Sequence, residues 1–254
     1  MAVQGMRPLY VAAILTWVAG FVDAVGFLSL GKIYTANMSG NSIAIGIEGI
    51  RQNWPELLAR LWPVAMYVAG LLFCRLLVEF GARKKVSRIA TVTIAIEMLL
   101  LLPPLVISGA DFHVSQPEQV LYVALLALAM GMQNAALTHF SNLTLNTGFV
   151  TGTLVKAAEQ SAKYLTWLYD ELRRRPTLKA ILESRQQESF REAYILLGMW
   201  VVYVTGAACG TLAFFSFAVR ALIAALAALL SVIGLDMKHP LALQEEKQQL
   251  APAS

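Results

Sequence analysis

The chain has 254 residues, of which 57% are hydrophobic and only 14% charged. A water-soluble domain carries about 25% charged residues, so this composition excludes a water-facing globule and predicts an integral membrane protein. The formal charge of +4 sits mainly in two loops beside apolar runs, which is the pattern of a cytoplasmic membrane face and argues for a lipid partner, not nucleic acid.

A spanning helix needs about 20 largely apolar residues. The first such run, 8–30, follows a single Arg7 and has no small-x-small cleavage site, so it reads as a span and not as a signal peptide. Asp23 lies inside it. Next comes a polar cluster, Asn37, Ser39, Gly40 and Asn41, which opens a short run at 39–50 that ends in Glu48 and Arg51. Runs 58–80 and 89–109 are long enough to span, and the second carries Glu97. The loop 81–88 between them holds Arg83, Lys84, Lys85 and Arg88. Run 119–141 contains Gln133 and Asn134. A second polar cluster, with Asn146, Thr147, Thr151, Gly152 and Thr153, opens another short run at 149–165 bearing Lys156, Glu159 and Lys163. The basic segment 170–191 follows, then runs 193–214 and 216–235, and a polar tail over 236–254. Cys74 and Cys209 both fall in apolar runs and read as small hydrophobes.

The two basic segments belong on the cytoplasmic side, and the loop 109–118, with Asp111 and Glu118 but no Lys or Arg, belongs outside. If both short runs crossed fully, 81–88 and 170–191 would fall on opposite sides. Six spans plus two re-entrant or broken half-helices remove the conflict and put both termini in the cytoplasm. This all-α arrangement gives one membrane domain over 1–235, with halves at about 8–109 and 119–235 and a cytoplasmic insertion at 170–191.

The halves echo one another. Gly20-Phe-Val-Asp23 returns 111 residues later as Gly131-Met-Gln-Asn134, and Tyr67-Val-Ala-Gly70 returns 136 later as Tyr203-Val-Thr-Gly206. Because the first span runs outward and its echo inward, the prediction is an inverted 3+3 repeat, as in many secondary transporters.

A charge at the centre of a membrane helix costs roughly 2.5–3.5 kcal/mol on insertion scales. Asp23 is therefore either a proton or cation site, or a structural carboxylate accepting hydrogen bonds from its neighbours. The clusters Asn37–Asn41 and Thr147–Thr153 place capping and small residues where half-helices would begin. Such tips suit an anionic or dipolar ligand, although small residues also serve plain helix contacts. Gln133 and Asn134 add amides to this centre, while Glu97 and Lys156 are candidate charge partners. His139 reads as an interfacial histidine. No metal-ligand spacing, nucleophile elbow or phosphate loop is present, which predicts no metal, no cofactor and no enzyme activity.

With Gly20-Phe-Val-Asp23-Ala24, Ala36-Asn37-Met-Ser39-Gly40-Asn41, Gly131-Met-Gln-Asn134-Ala135 and Thr151-Gly152-Thr153 in place, the chain resembles the YoaK-like family of bacterial polytopic membrane proteins, a domain of unknown function. The resemblance implies a small inner-membrane protein suspected of transport, and supplies no substrate. The functional expectation is a secondary transporter of a small polar metabolite, with proton coupling open and a midplane site between the halves. The alternatives are a passive channel or facilitator and a non-transporting scaffold. Small-residue faces at Gly198, Gly206 and Gly210 also leave room for a homodimer.

Overall fold

The computed structural model describes residues 2–84, 86, 88–107, 116–140, 150–174 and 187–238. Among these the protein is helical throughout. The helices are α1 (Ala2–Ser29), α2 (Met38–Ile50), α3 (Trp54–Arg83), α4 (Ile89–Ile107), α5 (Gln116–Phe140), α6 (Val150–Arg174), α7 (Glu188–Phe217) and α8 (Leu222–Lys238).

Five stretches are long and apolar enough to cross a membrane: Leu9–Ser29, Trp54–Arg83, Ile89–Val106, Glu118–Leu137 and Glu188–Lys238. The last covers 51 residues and breaks at Ala218, which stands at φ 51 and ψ −137 and starts a single 3-10 turn over Ala218–Ala221. Helix length explains α2. Its 13 residues rise only about 20 Å at 1.5 Å each, short of the roughly 30 Å hydrocarbon core. It is capped by Asn37, whose side chain accepts from Gly40 N at 3.4 Å. It folds back onto α3 through a turn in which Gln52 takes φ 56 and Pro55 opens the next helix. Glu48 ties that turn, accepting from Arg51 at 3.1 Å and from Asn53 at 3.0 Å.

Helix α6 is longer than the apolar run at 149–165 indicates. It continues to Arg174, so the start of the basic segment 170–191 is part of a helix; residues 175–186 of that segment, the cluster residues Asn146 and Thr147, loop 109–115 and the tail 239–254 lie outside the described residues, as does the His139 side chain. Tyr164 packs on Phe190 with ring centroids 4.9 Å apart, so α6 runs antiparallel to α7. The part of α6 before that contact, Val150 to Tyr164, spans roughly 21 Å, matching α2.

Helices α1 and α5 form the centre. About two-thirds of the spanning stretch of α1 and 72% of that of α5 is buried, against 28% for α3. They cross antiparallel, with Gln133 reaching the Leu15 carbonyl near one end and Leu126 facing Gly26 near the other. The outer helices attach in matched fashion. α7 lies along α1 and α3 along α5; α2 lies along α3 and α6 along α7; α4 packs on α5 and α8 on α1; and α4 meets α8. Thus α1 sits with the helices of the second half, and α5 with those of the first.

Glycine sets these contacts. A Cβ on Gly20 would stand 2.2 Å from the Tyr203 carbonyl oxygen, and one on Gly131 would stand 2.2 Å from that of Tyr67. In return, Gly206 abuts the Trp17 carbonyl and Gly70 that of Leu128, each also at 2.2 Å. Without a hydrophobic drive between helices in lipid, close backbone approach at small residues holds such pairs together.

Candidate functional site

After α1 the chain reverses at Gly31 and Lys32, whose φ values of 66 and 60 lie in the left-handed region. Glycine meets that demand without strain. Arg60 secures the turn by donating to the Lys32 carbonyl at 2.6 Å, and Tyr34 stacks on Phe27 with centroids 4.7 Å apart. The strand of chain that follows descends beside α1 until it reaches Asp23. There the Thr35 and Ala36 backbone N–H groups donate to Asp23 Oδ1 at 3.0 and 2.9 Å, and the Thr35 hydroxyl donates at 3.2 Å. Asp23 lies six residues before the end of α1, about 9 Å along the axis. The loop therefore dips back along the helix by that distance.

The other carboxylate oxygen accepts from the Tyr203 hydroxyl of α7 at 3.0 Å. Asp23 is 5% exposed, so four donors compensate a charge held away from water. Asn41, fully buried, fixes the same loop. Its Nδ2 donates to the Tyr34 carbonyl at 2.8 Å and its Oδ1 accepts from Tyr34 N at 3.3 Å. Asn37 and Ser39 belong to the α2 cap, with Ser39 donating to Asn37 Oδ1 at 2.7 Å. Gly40 sits against the Tyr34 ring, where a Cβ would approach to 2.7 Å.

On the opposite pair of helices, Asn134 Nδ2 donates to the Tyr67 hydroxyl at 2.7 Å. Gln133 spends an amide N–H on the Leu15 carbonyl at 2.9 Å, and its buried Oε1 has no hydrogen-bond partner among the described residues. Thus Asp23 with Tyr203 and Asn134 with Tyr67 are equivalent bonds under the two offsets of the sequence echo. One bond joins α1 to α7 and the other α5 to α3, on either side of the α1–α5 crossing.

The structure does not bring every candidate to this centre. On α6, Thr153 is buried against α7, whereas Thr151, Gly152 and Lys156 are exposed. The proposed pairing of Glu97 with Lys156 is not formed. Glu97 is fully buried on the inner face of α4, with Thr93, Ile94 and Leu101, and neither of its oxygens has a hydrogen-bond partner among the described residues. Lys156 lies on the exposed face of α6, where Glu159 pairs with Lys163 at 2.7 Å. Among the described residues no group of three potential metal ligands occurs. The sequence reading missed Tyr67, Tyr203, Thr35 and Tyr34 as members of the site. The first two were visible as repeat markers, but nothing in the chain order says which helix their hydroxyls face.

The family model described as "Protein of unknown function (DUF1275)" matches residues 11–235. The chain belongs to this family. It is also similar to a Bacillus subtilis (strain 168) protein described as "UPF0700 transmembrane protein YoaK", 25% identical over 147 residues. That match covers 58% of this chain and 64% of the relative, so the chain spans somewhat less than two-thirds of that protein's length. No solved structure matches the chain. The resemblance to YoaK-like proteins is thereby upheld, and the chain is a multi-pass membrane protein.

Proposed function

We propose that this DUF1275 protein is a secondary transporter of a small polar solute, working in the bacterial inner membrane with both termini in the cytoplasm. In this reading the chain forms two inverted halves, each of three crossings and one half-helix. The stretch Glu188–Lys238 contributes two of the six crossings. As one straight helix its 51 residues would reach about 76 Å, more than twice the hydrocarbon thickness, and it breaks at Ala218. Half-helices α2 and α6 would start near mid-depth and leave toward opposite faces.

The observation that carries the reading is the matched pair of buried bonds, Tyr203 to Asp23 and Asn134 to Tyr67. Polar groups at membrane depth are costly and mark solute or ion paths. Irregular backbone such as 30–36 is tolerated there where protein or a water-filled cavity surrounds it. Inverted repeats with broken helices at the midplane are a recurrent transporter design.

Flux into proteoliposomes tests the proposal. Asp23→Asn and Asn41→Ala are expected to reduce uptake at least tenfold relative to wild type. Full uptake by both variants removes Asp23 and its loop from the mechanism.

One observation favours a second reading, a passive facilitator. Asp23 already has four donors, so it is held as a fixed charge and not as a group poised to exchange a proton. Flux that ignores a pH gradient would select this reading over a proton-coupled one.

A further inference from the structure

Between the first turns of α3 and α5 lies a cleft of about 680 Å³, floored by Gly31 and Ile33 of the chain reversal and walled by Leu58, Ala59, Trp62 and Val123. We propose that this cleft binds one phospholipid, with an acyl chain along the cleft and a zwitterionic, ammonium-bearing head group at its rim. The lipid is bound whether or not the protein carries a solute.

The cleft opens toward lipid. Both helices belong to stretches able to cross a membrane, and only 28% of the α3 stretch is buried. Leu58, Trp62 and Val120 on the walls are exposed, whereas Ile33 and Val123 at the base are buried. The lining runs along α3 from Pro55 to Ala65, a rise of about 15 Å. That is one leaflet of a hydrocarbon core roughly 30 Å thick. Left unfilled, the walls would lose dispersion contacts on one side. A helix from a second copy of the chain does not fit inside, because a 15 Å length of helix 10–12 Å across takes up about 1,200–1,700 Å³, roughly twice the space. An acyl chain is thin enough and already fills that layer.

The rim selects the head group. Lipid tails are as apolar as the cleft walls, so a chain gains little by moving in, and preference rests on the polar groups at the open end. Glu56 and Gln119 line that end. Arg60 stands one turn after Glu56 on the same face of α3, about 6 Å away at Cβ. It donates to the Lys32 carbonyl at 2.6 Å, which sets Lys32 beside a guanidinium that has five donors in all. Gln119 rests on Gly31, where a Cβ would come within 2.7 Å of its Nε2. Two cations one helical turn from a carboxylate match a head group that carries both a phosphate and an ammonium ion. A purely anionic head satisfies Arg60 and Lys32 but leaves Glu56 without a counter-charge. Ile33 precedes Thr35 by two residues, so the lipid also braces the loop that reaches Asp23.

Native mass spectrometry of the full-length protein in detergent tests this, with phosphatidylethanolamine and phosphatidylglycerol of identical acyl chains supplied in competition. Phosphatidylethanolamine should saturate at one molecule per chain, with a preference of about fivefold over phosphatidylglycerol, the scale of one exposed charge pair. Glu56→Gln, at an exposed position, should abolish the preference while one lipid is still retained. Ala65→Trp, on the exposed wall, should cut retention of either lipid at least tenfold by filling the cleft. If that variant does not fold, Val120→Trp on the opposite wall, also exposed, serves in its place. No retained lipid, equal retention of phosphatidylglycerol by wild type, displacement by free phosphoethanolamine, or retention unchanged in the filled-cleft variant overturns the proposal. None of these readouts involves flux, so the transporter proposal stands or falls separately.

Discussion

The Tyr203 hydroxyl donates to Asp23 Oδ2 at 3.0 Å across 180 residues of sequence. This bond joins the first helix to the seventh and links the chain reversal at 30–36 to a helix of the other half. Its counterpart, Asn134 to Tyr67 at 2.7 Å, does the same for α5 and α3 without a charge. The site thus has twofold construction and onefold electrostatics.

Replacing Asp23 by Asn keeps the volume but exchanges one acceptor oxygen for a donor. Either the loop N–H groups or the Tyr203 hydroxyl then face an amide N–H. The expected cost is about 1–3 kcal/mol for a buried group left unsatisfied, seen as a lower melting temperature. Asp23→Ala frees all four donors and should cost more. A variant as stable as wild type would show that the loop is held by other contacts.

The glycine contacts make a graded prediction. Alanine at Gly20, Gly70, Gly131 or Gly206 puts a methyl group 2.2 Å from a backbone oxygen of the neighbouring helix, and backbone cannot step aside cheaply. Each should lower stability by about 3 kcal/mol, the upper end for overpacking, and reduce folded yield. Gly198 and Gly234 have nothing within 4 Å. Alanine there should be neutral or stabilising by up to about 1 kcal/mol from helix propensity. The same melting curves rank the two groups.

Glu97 is a buried acid that the site does not use. Both its oxygens are buried and unpartnered among the described residues, so Glu97→Met should raise stability by about 1–3 kcal/mol by replacing an unsatisfied polar group with an apolar one of similar size. If the stabilised variant also loses flux, the carboxyl is retained for function at the expense of stability. A destabilised Glu97→Met would mean that the carboxyl has a structural partner.

Much of this was legible in the chain. The long apolar runs fall on the five stretches able to cross a membrane, and the shortness of the run at 39–50 sets α2 apart. Gly20/Gly131 and Tyr67/Tyr203 were visible as echoes, and they turned out to touch crosswise, Gly20 with Tyr203 and Gly131 with Tyr67. That crossing was not legible, because periodicity fixes which face of a helix is apolar and small, not which distant helix it meets. For the same reason the tyrosine hydroxyls escaped notice, and Glu97 was offered a partner on α6, a helix that lies along α7 instead. The charged face of α6 also hid its length, since Lys156, Glu159 and Lys163 interrupt an apolar window while leaving the helix intact.

The proposed function rests on two short segments that enter and leave the membrane on the same side, one from each face, the first of them anchored at Asp23. Single cysteines in a Cys74→Ala, Cys209→Ala background, probed with a membrane-impermeant thiol reagent on intact and opened cells, test it most directly. Lys32→Cys and Gln52→Cys, which flank α2, should both react from outside, and Phe140→Cys and Arg174→Cys, which flank α6, should both react only from the cytoplasm. A flanking pair that reacts from opposite faces would make that segment a full crossing and contradict the account.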